Sequence, residues 1–126
     1  MEGQLYKTRE GWLDAAKHLV SDRFVDLGYP LPSQIQIACQ LTSGGSRRKA
    51  GSLMLGECWD ASRLGEKKFE ITVSPILHCP VRVLATLVHE LCHAAAGVSC
   101  GHSGTFEVLA RGMLLEGPLM ATTVGI

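Results

Sequence analysis

The chain has 126 residues, of which 46% are hydrophobic and 19% are charged, which suits one folded domain and excludes a disordered chain. Twelve basic residues balance twelve acidic ones, so bulk charge favours neither nucleic acid nor an anionic membrane surface as a partner. No apolar run approaches the ~20 residues of a membrane-spanning helix. The polar N-terminal stretch MEGQLYKTREGW does not have the pattern of a secretory signal, and together these features favour a cytoplasmic protein.

Helical periodicity predicts a first amphipathic helix over residues 5–27, because apolar residues recur there every three or four positions. Gly28 and the following prolines, Pro30 and Pro32, are expected to end it. Three segments of strand-like alternation follow, at residues 34–41, 52–59 and 69–74. The glycine-flanked loop at residues 43–51 predicts that the first two strands form a hairpin.

Pro80 predicts the start of a second helix, since proline is favoured at the first helical position. This helix is expected to run to Ala96 and to stop at Gly97. A last helix is predicted over residues 103–115, and residues 119–126 could form a strand or an ordered coil. One stripe of the second helix is predicted to be buried: Val81, Leu84, Val88, Leu91, Cys92 and Ala95.

The order of these elements predicts one small α+β domain over residues 1–126, with helices packed on a three-stranded, mostly antiparallel sheet. The five cysteines are odd in number, irregularly spaced and without a CxxC pair, so they predict neither a disulfide framework nor a zinc ribbon. Reduced and mostly buried thiols are expected instead. These cysteines are Cys39, Cys58, Cys79, Cys92 and Cys100.

The second predicted helix carries an HExxH pattern at residues 89–93. Residues four apart are neighbours on one helix face, so His89 and His93 can bind one metal ion, and imidazole nitrogen suits zinc. Glu90 projects about 100° around the helix from His89, and it can therefore flank the ion without ligating it. There it can take a proton from a water molecule that the ion activates. The pattern predicts zinc-dependent hydrolysis of peptide bonds with Glu90 as general base.

A catalytic zinc usually takes three protein ligands and keeps a fourth position for water. His102 is the first candidate for the third ligand, because Gly97 ends the helix and the short loop at residues 98–101 can turn the chain back. Glu107, further along the last helix, and Cys100 are alternatives. A thiolate from Cys100 would suit a structural site better than a peptidase.

The segment HELCHAAA at residues 89–96, followed by HSGTF at residues 102–106, resembles the SprT/Spartan-like zinc metallopeptidases, in the compact form found in phage and bacterial genomes. In that family a helix carries HExxH, and a third histidine begins the next helix in an H-G-x-x-F-like pattern. Residues 69–77 are similar to the family's lead-in to the metal helix, and the resemblance covers about residues 34–115. Ser103 stands where the family usually has glycine.

This resemblance implies a zincin-like fold, zinc as the cofactor and a protein or peptide as the substrate. It also implies that His89, His93 and His102 are the zinc ligands and that Glu90 is the base. An exposed edge of the sheet would hold the substrate in an extended form through main-chain hydrogen bonds.

Two further interpretations use the same residues. A zinc-binding regulatory module with little turnover would have a protein group in the fourth coordination position. A DNA-associated protease would need basic residues from two loops in one patch, and the zinc ribbon with which many relatives reach DNA does not occur in this sequence. The residues of that patch would be Arg47, Arg48, Lys49, Arg63, Lys67 and Lys68.

Overall fold

The computed structural model describes residues 8–40, 55–75, 79–98 and 101–113, in which three helices pack on a three-stranded sheet. This is the α+β class that the sequence predicts. The predicted loop at residues 43–51 and the tail at residues 119–126 lie outside the described residues. In chain order the elements are α1 (Arg9–Asp26), β1 (Ile35–Cys39), β2 (Gly56–Asp60), β3 (Phe69–Val73), α2 (Pro80–Ala96) and α3 (Thr105–Gly112).

Helix α1 begins where Thr8 caps it, later than residue 5. Thr8 is extended, and its Oγ1 accepts a hydrogen bond from the backbone N–H of Gly11 at 3.0 Å. Such a cap satisfies one of the free N–H groups of the first turn. The other end of α1 is tied to α3, because the Arg23 guanidinium donates to the carbonyl of Gly112 at 3.2 Å. The cap and this long-range contact fix the helix that covers β1.

The sheet has the strand order β1-β3-β2, so the central strand is the last of the three in the chain. β3 is parallel to β1 and antiparallel to β2, which makes the sheet mixed rather than mostly antiparallel. The predicted hairpin between the first two strands is wrong, because β3 lies between them. Glycines at residues 43–51 indicate that the chain changes direction there. They do not determine the strand order, which depends on which strand pairings the packed helices allow.

Helix α2 begins at Pro80 and ends at Ala96, as predicted, and Gly97 with φ of 92° ends it. A positive φ of this kind strongly favours glycine over residues with a Cβ. The predicted stripe is only partly correct, because Val81 is 56% exposed and Leu84 is 37% exposed. The buried arc lies elsewhere because α2 contacts β2, β3, α1 and α3. Its buried residues are Val83, Ala85, Thr86, Leu87, Val88, His89, Glu90, Leu91, Cys92 and Ala94.

In the part of the chain that the structure describes, no helix has the length and apolar character to cross a membrane.

Helix α1 carries one leucine that is buried in the core and one that is exposed, and the two should differ in their contribution to stability. Leu13 is 1% exposed and Leu19 is 84% exposed, although both lie in the same helix. Leu13→Ala should lower the free energy of unfolding by about 2–5 kcal/mol, because it leaves a cavity in the core. Leu19→Ala is the matched control and should stay within ~0.5 kcal/mol of the wild type. Urea unfolding followed by circular dichroism measures both; equal losses would contradict the packing described.

Candidate metal centre

Two of the three histidines of the candidate site lie one turn apart on α2. The rings of His89 and His93 have centroids 5.1 Å apart and meet edge to face. This is the spacing that residues i and i+4 give on one helix face. His89 is buried and His93 is partly buried. The helix alone therefore brings two imidazoles to one point, as the HExxH pattern predicts.

The third histidine, His102, comes from the turn that precedes α3. Gly97 and Gly101 have φ of 92° and 61°, in the left-handed region that favours glycine, and α3 packs against α2. His102 Nε2 then lies 3.1 Å from His93 Nε2, and one nitrogen of each histidine lies within 4.8 Å of the other two. Zinc–nitrogen bonds of about 2.0 Å in a tetrahedron separate ligand atoms by about 3.3 Å. The three imidazoles therefore fit a single metal ion after small side-chain rotations.

The ring of Phe106 contacts all three imidazole rings. It stacks on His93 with centroids 4.3 Å apart and an interplanar angle of 25°. It meets His89 at 5.2 Å and His102 at 5.0 Å, both edge to face. Phe106 itself is completely buried in the core, four residues after His102. One aromatic ring thus couples the orientation of the three candidate ligands to the packing of α3 against α2.

The electrostatic environment keeps the three histidines uncharged. Burial, together with the nearby His93 and His102, lowers the pKa of His89 to about 3. Burial and His102 lower the pKa of His93 to about 4, and burial lowers the pKa of His102 as well. A neutral imidazole has a free lone pair, which is the form that binds a metal. At neutral pH the cluster is therefore ready for a cation without first losing protons.

Glu90 follows His89 directly and is also buried. Burial raises the pKa of Glu90 to about 8, and the negative charge of Glu57 on β2 adds to this effect. A metal cation beside the carboxyl would oppose both causes, since a nearby positive charge favours the carboxylate. The protonation state of Glu90 should therefore change when the histidine cluster binds a cation.

The cysteines near Glu90 are protonated thiols. Burial, and then the charge of Glu90, raise the pKa of Cys58 and of Cys92 to about 12. Neither thiol belongs to the group of side chains that could hold a metal with the three histidines. Four of the predicted cysteines, Cys39, Cys58, Cys79 and Cys92, are free thiols in the structure.

The remaining ionisable residues considered for a site or a partner surface are either not part of the histidine cluster or lie outside the described residues. Glu107 does not join the histidines; its carboxylate pairs with the Arg111 guanidinium at 3.1 Å on the exposed face of α3. His18 is exposed on α1, 3.4 Å from the Asp14 carboxylate. Within the described ranges, His89, His93 and His102 form the one group of three or more such side chains that could hold a metal. Outside these ranges lie Cys100, Arg47, Arg48 and Lys49.

Two residues that shape the site were not identified from the sequence. Phe106 was noted only as part of the family pattern, although an aromatic residue four positions after His102 indicates a ring that can pack against this histidine. Gly56 stands at the start of a strand-like segment, where glycine often marks a close approach of another group. The group that approaches is Glu90, whose Oε2 would lie 2.9 Å from a Cβ at residue 56.

Comparisons with known proteins return no match for this chain. No protein-family model matches it, and comparison with curated proteins and with solved structures found no match. The function is therefore inferred from the residues and from the geometry of the site.

Removal of His102 tests the three-histidine site. His102→Ala should lower the affinity for Zn²⁺ more than ~100-fold, since loss of an outer partner alone costs roughly 10- to 100-fold. Isothermal titration calorimetry and elemental analysis of the purified protein measure the affinity and the metal content. His18→Ala removes an exposed histidine of α1 and should leave both unchanged. An unchanged zinc load in His102→Ala would instead place the third ligand at Glu107 or Cys100.

Burial of Glu90 predicts how the stability of the metal-free protein depends on pH. The folded state keeps the Glu90 proton up to about pH 8, whereas the unfolded state loses it near 4.5. The contribution of Glu90 to the free energy of unfolding should therefore fall as pH rises between these values, by up to ~1.4 kcal/mol per pH unit. His89 and His93 have lowered pKa values and contribute in the opposite direction below about pH 6.5, so the effect of Glu90 is read from the difference between wild type and Glu90→Gln. Glu90→Gln removes this fall and should match the wild type near pH 5 but exceed it near pH 8.

Urea unfolding in the presence of a chelator at the two pH values measures this difference. Glu70→Gln, on the exposed side of β3, is the control and should keep the fall because Glu90 is intact. If wild type and Glu90→Gln respond to pH in the same way, Glu90 is not held as a buried acid.

Proposed function

We propose that this protein is a zinc-dependent peptidase of the HExxH type, with Glu90 as the general base. One observation carries the proposal: three neutral imidazoles from two segments of the chain converge to within 4.8 Å, and a buried carboxyl directly follows the first of them. A metal site alone does not require this carboxyl. Hydrolysis does, because a base must take a proton from the attacking water.

The donor set supports zinc as the metal. Three imidazole nitrogens suit zinc, copper, nickel or iron, whereas calcium and magnesium prefer oxygen ligands. Three protein ligands also leave the fourth tetrahedral position free, as catalytic zinc sites do. Glu107, the acidic rival among the described residues, is engaged with Arg111 and is not part of the cluster.

When bound, the metal supplies a Lewis acid that polarises a carbonyl and makes water a nucleophile near neutral pH. Glu90 accepts a proton at its carboxylate as the water attacks, and it donates that proton to the nitrogen of the departing amine. Burial alone would leave Glu90 protonated at neutral pH, so its role as a base requires the positive charge of a bound cation, which favours the carboxylate. Burial then makes this carboxylate a stronger base than an exposed one. His89, His93 and His102 stay neutral and hold their positions against Phe106.

The proposed substrate is a protein or peptide in an extended conformation. Among the described residues, β2 is an edge strand of the sheet, and it contacts α2, the helix that carries Glu90. Main-chain hydrogen bonds to such an edge give affinity without demanding a particular side chain. The resemblance of residues 89–106 to SprT/Spartan-like peptidases supports the same substrate class.

Replacement of Glu90 separates hydrolysis from metal binding. Glu90→Gln should lower the rate of zinc-dependent cleavage of a labelled denatured protein by ~10²- to 10⁴-fold, the usual contribution of an acid–base group. Its zinc content should remain at the wild-type level, because no histidine is changed. Glu107→Gln, on the exposed face of α3, is the control and should retain cleavage.

The outcomes distinguish the peptidase from a zinc-binding regulatory module. Full cleavage by Glu90→Gln would exclude the proposed base. A wild type that binds one zinc ion but cleaves neither denatured proteins nor a peptide library would favour the regulatory module.

A further inference from the structure

The first residue of β2 lies against the carboxyl of Glu90. A Cβ added to Gly56 would stand 2.9 Å from Glu90 Oε2 and 3.1 Å from Glu90 Cγ, and 2.8 Å from Thr86 Cγ2. Carbon contacts are optimal near 3.5–4.0 Å, so the space for this Cβ is already filled by the two α2 side chains. Any residue larger than glycine at position 56 must displace one of them.

The backbone gives no other reason for glycine at this position. Gly56 lies within a β-strand and, unlike Gly97 and Gly101, does not have a positive φ. Glycine in a strand weakens it, because the unfolded chain is more flexible and no side chain packs. The benefit of Gly56 therefore comes from the space it leaves for Glu90 and Thr86.

Neither the strand nor the helix can easily retreat to make room for a side chain. Gly56 pairs with Val73 in the register of β2 and β3, and the N–H of Ser74 donates to the carbonyl of Leu55 at 2.8 Å. α2 is held from the other sides by β3, α1 and α3. Protein interiors transmit such strain rather than absorb it.

Of the two side chains that Gly56 faces, that of Glu90 is the more easily displaced. Thr86 is β-branched and buried, and its Oγ1 donates to the carbonyl of Arg82 at 2.9 Å, which fixes its rotamer. Glu90 has three side-chain torsions, and the atoms nearest to Gly56 include its terminal oxygen. A side chain at position 56 would therefore push the carboxyl away from its place.

We infer that Gly56 is a positioning residue for Glu90: by having no side chain, it lets the carboxyl lie between β2 and α2 in the orientation that proton transfer requires. The inference rests on the proposed function for the role of Glu90. The placement itself rests only on the packing of β2 against α2. Gly56 contributes no group to the reaction and acts through Glu90.

Gly56→Ala tests this role, with zinc content as the first readout and the kinetics of cleavage as the second. The variant should bind zinc as the wild type does, because the three histidines are unchanged. Its kcat should fall on the order of 10²-fold with KM unchanged, since a displacement of about 1 Å costs that much in a catalytic geometry. Glu90→Gln in the same assay shows whether the proposed base operates at all.

Thr86→Ser separates the two contacts that an alanine at position 56 would make. It deletes Cγ2 and keeps the hydroxyl that bonds the carbonyl of Arg82. Thr86→Ser alone should be active, and the double variant Gly56→Ala/Thr86→Ser should stay as slow as Gly56→Ala, because the contact with Glu90 persists. Recovery of the rate in the double variant would show that the methyl of Thr86 and the helix, rather than Glu90, respond to the change, and it would overturn the inference.

Gly112→Ala is the matched control for the insertion of a methyl group. A Cβ at Gly112 would lie 2.9 Å from Leu27 Cδ1, an equally tight contact between the last residue of α3 and the C-cap of α1. This variant should keep the wild-type kcat. A loss equal to that of Gly56→Ala would mean that any overpacking slows the enzyme, and the specific role of Gly56 would be excluded.

The inference and the proposed function fail in different ways. If Glu90→Gln abolishes cleavage and Gly56→Ala does not reduce it, only the positioning role is wrong. If the wild type cleaves no substrate, the crystal structure of zinc-loaded Gly56→Ala decides. A Glu90 carboxyl displaced from its wild-type position supports the role, and an unmoved carboxyl overturns it.

Discussion

Helix α2 is surrounded by β2, β3, α1 and α3, and it must bury an apolar face together with His89 and Glu90. Burial of ionisable groups is costly unless they are neutral or paired, and both residues shift their pKa toward the neutral form. The fold thus holds a neutral imidazole and a neutral acid side by side. Binding of a divalent cation would change this balance, because the lone pair of the imidazole and the charge of the carboxylate would both gain a partner.

The surroundings of α2 fix the site through shape as much as through charge. Phe106, which α3 presents, contacts the rings of His89, His93 and His102, so packing of one helix against another orients all three. Gly56, at the start of β2, leaves space for Glu90. The candidate ligands and the proposed base are therefore supported by different elements, α3 and β2, and the packing of each element can be altered separately.

The same arrangement explains why a peptidase is the better proposal than a purely structural metal site. A structural zinc normally has four protein ligands, whereas three side chains converge in the described part of this chain. The two thiols near Glu90, Cys58 and Cys92, are not part of the group of side chains that converge with the three histidines. A buried carboxyl next to three candidate ligands has a chemical use, which is proton transfer to and from water.

The sequence by itself determined the class of the fold, the bounds of α2 and the pairing of His89 with His93, because these follow from local rules. Pro80 and Gly97 fix the ends of one helix, and a spacing of four residues places two side chains on one face of it. Only the tertiary structure decided the strand order, the burial of Glu90, the exposure of Val81 and Leu84, and the position of His102, rather than Glu107, beside His89 and His93. Each of these depends on which elements meet in space, and no local pattern contains that information.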